Sequence, residues 1–297
     1  MRHIYVSPHA DDVALSCGGR ILTNPDRRSD TLVLTIFTSK NASKQAPTRA
    51  QTHFVDAIHT DREEEDEAAW NSVDVPWQAL GLPEALLRGS FPFTISRSAR
   101  DRQVMRDLYE RIASYKRTYT EAQFYFPAGI GGHLDHLLCR DVALELLRND
   151  ASAKVLFYED APYWWLRFLK KAYYHELELR AGAHDSADQP GRHGLHLFQY
   201  LLRKDVPFPR GKKLFLAVYV ALLARAGRGW GGDLKAFRPD IMTTIIDSEI
   251  LARKRQLVYH YRSQLPMLFG EAPDELLDKY LGYFGTETVI ELIKRST

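Results

Sequence analysis

Over its first 160 residues the chain alternates short apolar runs with amphipathic stretches. Residues 2–6 and 31–37 (TLVLTIF) are apolar and β-branched, which predicts buried strands. Residues 75–80, 122–126 and 154–158 read the same way. Between them, 13–22, 61–72, 101–116 and 136–148 read as helices. In 101–116 the apolar residues Val104, Met105, Leu108, Ile112 and Tyr115 recur at helical spacing. The helix at 61–72 carries a start signal, Thr60 or Asp61 as N-cap with Glu63 or Glu64 three residues on. The pair Gly18-Gly19 inside 13–22 lets that helix pack closely on a neighbour. Residues 41–59 are polar without periodicity and predict a loop. Strands alternating with helices imply a Rossmann-like, three-layer α/β/α fold with a mostly parallel sheet.

The pattern breaks after Pro162 and returns with a strand at 241–246 and helices at 248–264 and 274–283. The expected organisation is an α/β core over 1–163, a helical insertion over 164–236, and a part over 237–297 that completes the core. The insertion holds 13 Lys and Arg against 6 Asp and Glu, inside a chain of net charge +2. It mixes aromatic with basic residues, as in Trp164-Trp165-Leu166-Arg167-Phe168-Leu169-Lys170-Lys171. Such a stretch suits a helix at a membrane interface. The favoured reading is a helical pair packed on the core or on a second subunit, because apolar helices more often bury themselves, and homo-oligomerisation stays open. No apolar run approaches the roughly 20 residues that span a bilayer. The start of the chain lacks a signal-peptide core, so the expected location is cytoplasmic, with peripheral membrane contact open. Near-neutral charge gives no reason to expect nucleic acid. Cys17 and Cys139 build no disulfide framework.

The chemistry gathers in two turns. Ser7-Pro8-His9-Ala10-Asp11-Asp12 follows the first strand, and Gly131-Gly132-His133-Leu134-Asp135-His136 follows the strand at 122–126. If those strands are parallel neighbours, both turns open at the carboxyl edge of the sheet, where open α/β folds bind ligands. Two imidazoles and a carboxylate suit a catalytic Zn²⁺ with an open position, and Fe²⁺ or Co²⁺ accept similar donors. Asp135 could hydrogen-bond an imidazole and fix its tautomer, or cap the following helix. Asp11 could cap the helix it opens. Glu159 and Asp160, just past a strand end, could bind substrate hydroxyls or act as caps. A nucleotide site at Gly18-Gly19 is disfavoured, because Asp11 and Asp12 would repel phosphate.

Pro8–Gly19 (PHADDVALSCGG) resembles the P-H-x-D-D-x-x-L-x-x-G-G signature of the LmbE-like / PIG-L family of zinc N-deacetylases, and His133–His136 resembles its H-x-D-H. Arg62-x-x-Glu65-x-x-x-Ala69 is similar to the family's R-x-x-E-x-x-x-A helix. Phe157–Tyr163 is similar to the Y-Y-E-D-x-P-Y of a bacterial subgroup, and Tyr261–Gln264 to its Y-x-S-Q. Ala10 stands where the family usually has proline, which loosens the turn but removes no ligand. The resemblance implies that His9, Asp12 and His136 hold the metal and that Asp11 is the general base. It implies that His133 steadies the tetrahedral intermediate. Read from the residues alone, Asp135 is a candidate for catalytic support, and Arg62 and Glu65 could form a helix-surface ion pair or, as preferred, a buried brace under the active-site loops. Arg62, Glu159 and Asp160 are the candidates for substrate contact. The implied reaction removes acetyl from an N-acetylated amino sugar of N-acetylglucosaminyl type, free or lipid-linked. Another amide, or a non-catalytic zinc scaffold, is the alternative.

Overall fold

A computed structural model describes residues 1–39, 62–94, 96–161, 234, 236–265 and 285–294, with positions 170, 173, 174, 177, 277 and 278. The predicted loop at 41–59 and nearly all of 164–236 and 274–283 lie outside these residues. The elements are β1 (His3–Ser7), α1 (Asp12–Thr23), α2 (Arg27–Asp30), β2 (Thr31–Thr35), α3 (Arg62–Asn71) and β3 (Trp77–Ala79). A 3₁₀ turn (Leu86–Arg88), α4 (Ala99–Thr118), β4 (Gln123–Pro127), α5 (Leu134–Asn149) and β5 (Lys154–Tyr158) follow. The chain then supplies β6 (Phe237–Ile245), α6 (Ser248–Val258) and β7 (Thr286–Lys294).

Seven strands form one sheet in the order β3-β2-β1-β4-β5-β7-β6. The first five are parallel, while β7 runs antiparallel to β5 and β6 antiparallel to β7. Strand order reverses between β1 and β4, which pair directly with His3 opposite Gln123. That reversal opens a crevice beyond their carboxyl ends, and both histidine turns lie there. Apolar side chains cover both faces of the sheet. Ile4, Val6, Phe124 and Phe126 pack with Val104, Leu108, Leu138 and Val142 of α4 and α5. Tyr5, Val33 and Tyr125 pack with Val13, Ala14, Trp70 and Leu257 of α1, α3 and α6.

Two differences from the sequence reading have local causes. The helix expected over 248–264 ends at Val258, and Tyr261 and Gln264 sit buried in the turns that follow. No element is expected past residue 283, yet β7 lies there. Glu287, Val289, Ile290 and Leu292 are all buried, so covering on both faces hides the period of two.

Long-range polar contacts hold the layers together. A Cβ on Gly19 would meet Ile246 Cδ1 at 2.6 Å and Glu287 Oε1 at 2.9 Å, so the glycine permits this close approach. Glu287 accepts from the backbone nitrogens of Gly19 and Arg20 at 2.8 and 2.6 Å and from Lys254 Nζ at 2.7 Å. Asp66, fully buried on α3, accepts from Thr35 Oγ1 at 2.5 Å, Trp70 Nε1 at 2.9 Å and the Tyr261 hydroxyl at 2.7 Å.

Burial pushes Asp66 up to about 8, against these three donors. Between the ordinary 3.8 and that value the folded protein holds a proton that the unfolded chain has released. The contribution of Asp66 to stability is therefore full below the ordinary value and falls as pH rises toward 8. In urea unfolding from pH 4.5 to 8, Asp66→Asn should show a shallower decline than the parent. Equal slopes would contradict this placement.

Candidate active site

The first turn is fixed by its own hydrogen bonds. The backbone nitrogen of His9 donates to Asp12 Oδ2 at 2.8 Å, Ser7 Oγ donates to the His9 carbonyl at 2.6 Å, and Val13 N donates to Ser7 Oγ at 3.2 Å. These bonds hold the turn without the proline that Ala10 replaces. In the second turn Gly131 and Gly132 have φ of 94° and 71°, a left-handed path that brings His133 to the start of α5.

The two turns meet on one atom. Asp12 Oδ2 lies 3.2 Å from His9 Nδ1 and 3.2 Å from His136 Nε2. A tetrahedral ion with bonds of about 2.0–2.1 Å would set its ligand atoms about 3.3 Å apart. Both separations from Asp12 Oδ2 match that spacing. The rear ring nitrogens are also engaged, His9 Nε2 at 3.1 Å from Asp135 and His136 Nδ1 at 2.6 Å from Asp160. Carboxylates behind the imidazoles orient ligand rings and raise their basicity. Ring nitrogens of His9, His133 and His136 also fall within 4.8 Å of one another. His133 is the odd member of that trio, because its Nδ1 accepts from the Asp135 backbone nitrogen at 3.3 Å.

Charge inside the cluster is strongly biased. Burial opposes ionisation of Asp12, but the facing His136 and His9 rings outweigh it and hold the carboxyl far below its usual range. Burial likewise disfavours a charged His136, yet Asp12 and Asp160 push it up to about 9. His9 is raised in the same way, by Asp12 and Asp135 against burial. The two rings are clasped as cations by carboxylates, and a metal ion would replace those protons. His133 behaves oppositely. Burial and the neighbouring His9 hold it well below the usual histidine value, so it is neutral. With Nδ1 accepting, its proton sits on Nε2, which makes that nitrogen a donor. Asp11 occupies the N-cap position of α1 but makes no side-chain cap bond. Burial and the adjacent Asp12 raise it to about 6, with Arg62 opposing.

The remaining candidates divide. Asp135 is fully buried and sits behind His9, where it accepts from Arg88 Nη2 at 2.7 Å and Ala85 N at 3.1 Å. It faces the His9 ring, and His133, not Asp135, caps α5. Asp160 does not stand at the mouth as a hydroxyl binder. Its oxygens are spent on His136 and on the Ile130 backbone nitrogen at 2.9 Å, beneath the site. Glu159 is turned to Lys170 at 2.8 Å and the Tyr174 hydroxyl at 2.6 Å. Arg62 pairs with Glu84 at 2.7 Å, and its Nε is buried without a hydrogen-bond partner among the described residues. Glu65, one turn on, accepts from Ser263 N and Oγ instead of pairing with Arg62. Cys17 is a buried free thiol and joins no ligand cluster among the described residues.

Sequence reasoning missed Arg88 and Asp101. The Arg88 guanidinium bridges Asp135 and Asp101, each at 2.7 Å, with both carboxylates buried. Asp101 closes a capping box with Ser98 at the start of α4. The S-x-x-D spacing was a readable signal, but nothing local tied it to His9. Replacing Asp160 by Asn removes the charge behind His136 while keeping the shape. Competition with a chromophoric chelator should show zinc affinity reduced about 10–100-fold. Unchanged affinity would contradict the assigned role of Asp160.

Comparisons with known proteins bear on the family and the fold. Residues 4–147 match the family model for GlcNAc-PI de-N-acetylase, PIG-L. A 2'-N-acetylparomamine deacetylase of Streptomyces fradiae is 34% identical over 166 residues, covering 54% of this chain and 57% of that protein. One from Niallia circulans is 28% identical over 205 residues, covering 60% and 73%. The alignments thus span little over half of the first relative and nearly three quarters of the second. A structure of a teicoplanin deacetylase, described as a zinc-inhibited form, superposes with a TM-score of 0.62 at 18% identity, covering 100% of this chain and 99% of that one. That likeness establishes a shared α/β fold. Residues 4–147, with both histidine turns inside the match, thus carry a PIG-L, or LmbE-like, family domain.

Proposed function

We propose that the chain is a divalent-metal-dependent amide hydrolase that removes the acetyl group from an N-acetylated amino sugar. The observation that carries the reading is the meeting of His9 Nδ1 and His136 Nε2 on one oxygen of Asp12, each at 3.2 Å. The His133 ring stands beside that point, 4.9 Å from His9 and 5.3 Å from His136, and Asp11 is the chain neighbour of Asp12. The relatives named as 2'-N-acetylparomamine deacetylases support an acetamido sugar as the substrate class.

His9, Asp12 and His136 would hold the ion, with zinc preferred and Fe²⁺ or Co²⁺ as alternatives. When bound, a divalent cation supplies Lewis acidity toward water and the acyl oxygen. Asp11 accepts a proton from the attacking water; a value raised to about 6 leaves it basic near neutral pH. His133 Nε2–H donates to the oxygen on which negative charge develops, and a fixed donor aimed there favours the transition state. The C–N bond then breaks. The proton taken from water ends on the departing amine, leaving acetate and a free amino sugar. Asp135 and Asp160 take no part in these transfers and keep the two ligand rings in place. Arg62 keeps a proposed substrate contact through its unpartnered buried Nε.

No helix among the described residues is long and apolar enough to cross a membrane. Lipid-linked sugars and peripheral contact through 164–236 therefore rest on the basic, aromatic sequence of that segment. The test is acetate release from 2'-N-acetylparomamine and from free, nucleotide-linked and lipid-linked N-acetylglucosamine, with added metal and with chelator. Release from one class that chelator abolishes is the expected result. No release from any, with metal bound, would refute the reading. Asp11→Asn should keep stoichiometric metal and lose about 10²–10⁴-fold in turnover. A variant with parental activity would remove Asp11 as the base.

A further inference from the structure

Three large apolar side chains stand exposed among the described residues, Phe91 at 55%, Ile241 at 51% and Ile245 at 80%. The isoleucines belong to the outer strand β6. Phe91 differs in what stands behind it. Its ring lies 6.0 Å from that of Phe93, and Phe93 meets His133 edge-on at 5.3 Å. The His133 ring in turn lies 4.9 Å from His9 and 5.3 Å from His136. A continuous run of rings therefore leads from the metal-binding side chains to solvent. Exposure rises along it. His136 is buried, His133 and Phe93 are half-buried, and Phe91 is open.

The run is anchored. The Pro92 carbonyl accepts from Leu134 N at 2.6 Å, at the first residue of the helix that carries His136. The Phe91 carbonyl accepts from Thr94 N at 3.0 Å, closing a turn. Phe93 packs against the core, whereas Phe91 joins neither apolar cluster. An aromatic ring carried on an anchored backbone yet left in water, continuous with the proposed reaction site, suits a ligand-contact surface.

We propose that Phe91 and Phe93 form a subsite for a second ring, a sugar or an aminocyclitol, linked to the acetamido sugar. This rests on the reading that His133 faces the acetamido group. With that group at His133, the sugar bearing it lies along Phe93 and its neighbour reaches Phe91. Such rings present a face of C–H bonds that matches an aromatic face, while their hydroxyls stay at the rim in water. An ammonium at the rim gains further from the ring quadrupole. The subsite would favour two-ring substrates over a single sugar.

The experiment measures binding by calorimetry and turnover by acetate release, on the full chain loaded with metal. Phe91→Ala should weaken binding of paromamine about tenfold and leave binding of glucosamine unchanged. Phe91→Trp should restore paromamine binding. On 2'-N-acetylparomamine, Phe91→Ala should raise KM with kcat retained, and N-acetylglucosamine kinetics should not change. Equal losses on one-ring and two-ring compounds, or no loss on either, would overturn the subsite. So would an octyl glycoside of N-acetylglucosamine that depends on Phe91 as strongly as the two-ring compound, since the surface would then be an alkyl site. Failure of the deacetylase reading shows separately, as binding that depends on Phe91 without acetate release from the parent protein.

Discussion

One buried carboxylate oxygen organises this molecule. Asp12 Oδ2 faces an imidazole nitrogen from each of two turns at 3.2 Å and also accepts the backbone nitrogen of His9. Those turns, with His9 and Asp135 126 residues apart in sequence, are neighbours in space because β1 and β4 pair in parallel at the reversal of strand order. The sheet thus exists, functionally, to deliver two strand ends to one point. Each further charge at the site follows from that meeting. Imidazoles aimed at a carboxylate in a buried place need their other nitrogens held, and Asp135 and Asp160 hold them.

Buried charge is costly unless each member is paired, and the pairing here runs outward in order. His9 leans on Asp135, Asp135 on Arg88, Arg88 on Asp101, and Asp101 on Ser98 at the start of α4 and on Ser90 in the loop after the 3₁₀ turn. The Arg88 guanidinium also stands 5.3 Å from the centre of the Phe37 ring. A second branch runs from His136 through Asp160 to the backbone of Ile130. The two imidazoles are therefore oriented by side chains from α4, α5 and the segments around Arg88 and Asp160 rather than by their own turns alone. That is the arrangement a preorganised hydrolytic site requires, because a ring free to rotate loses its aim at the reacting atoms.

Much of this was legible from residue order. Apolar runs at residues 2–6, 31–37, 122–126 and 154–158 marked the inner strands, and H-x-D-D with H-x-D-H marked the chemistry. Local pattern carries such features because a strand, a turn and a histidine spacing are short-range. What it could not carry was the partner of each charge. Asp160 reads as a residue at a strand end, and only the fold shows that it lies under His136. Arg88 meets Asp135 across 47 residues and Asp101 across 13, and Glu287 reaches back to Gly19 across 268. β7 was hidden for a related reason, since a strand covered on both faces loses the alternation that reveals it.

The central claim is that His9, Asp12 and His136 form one cation site with His133 beside it. Anomalous diffraction at the zinc edge, on crystals grown with one equivalent of zinc, tests it most directly. The account predicts a single peak bonded by His9 Nδ1, an Asp12 oxygen and His136 Nε2, with His133 unbonded. A peak held by the three imidazoles without Asp12, or no peak between the turns, would contradict it.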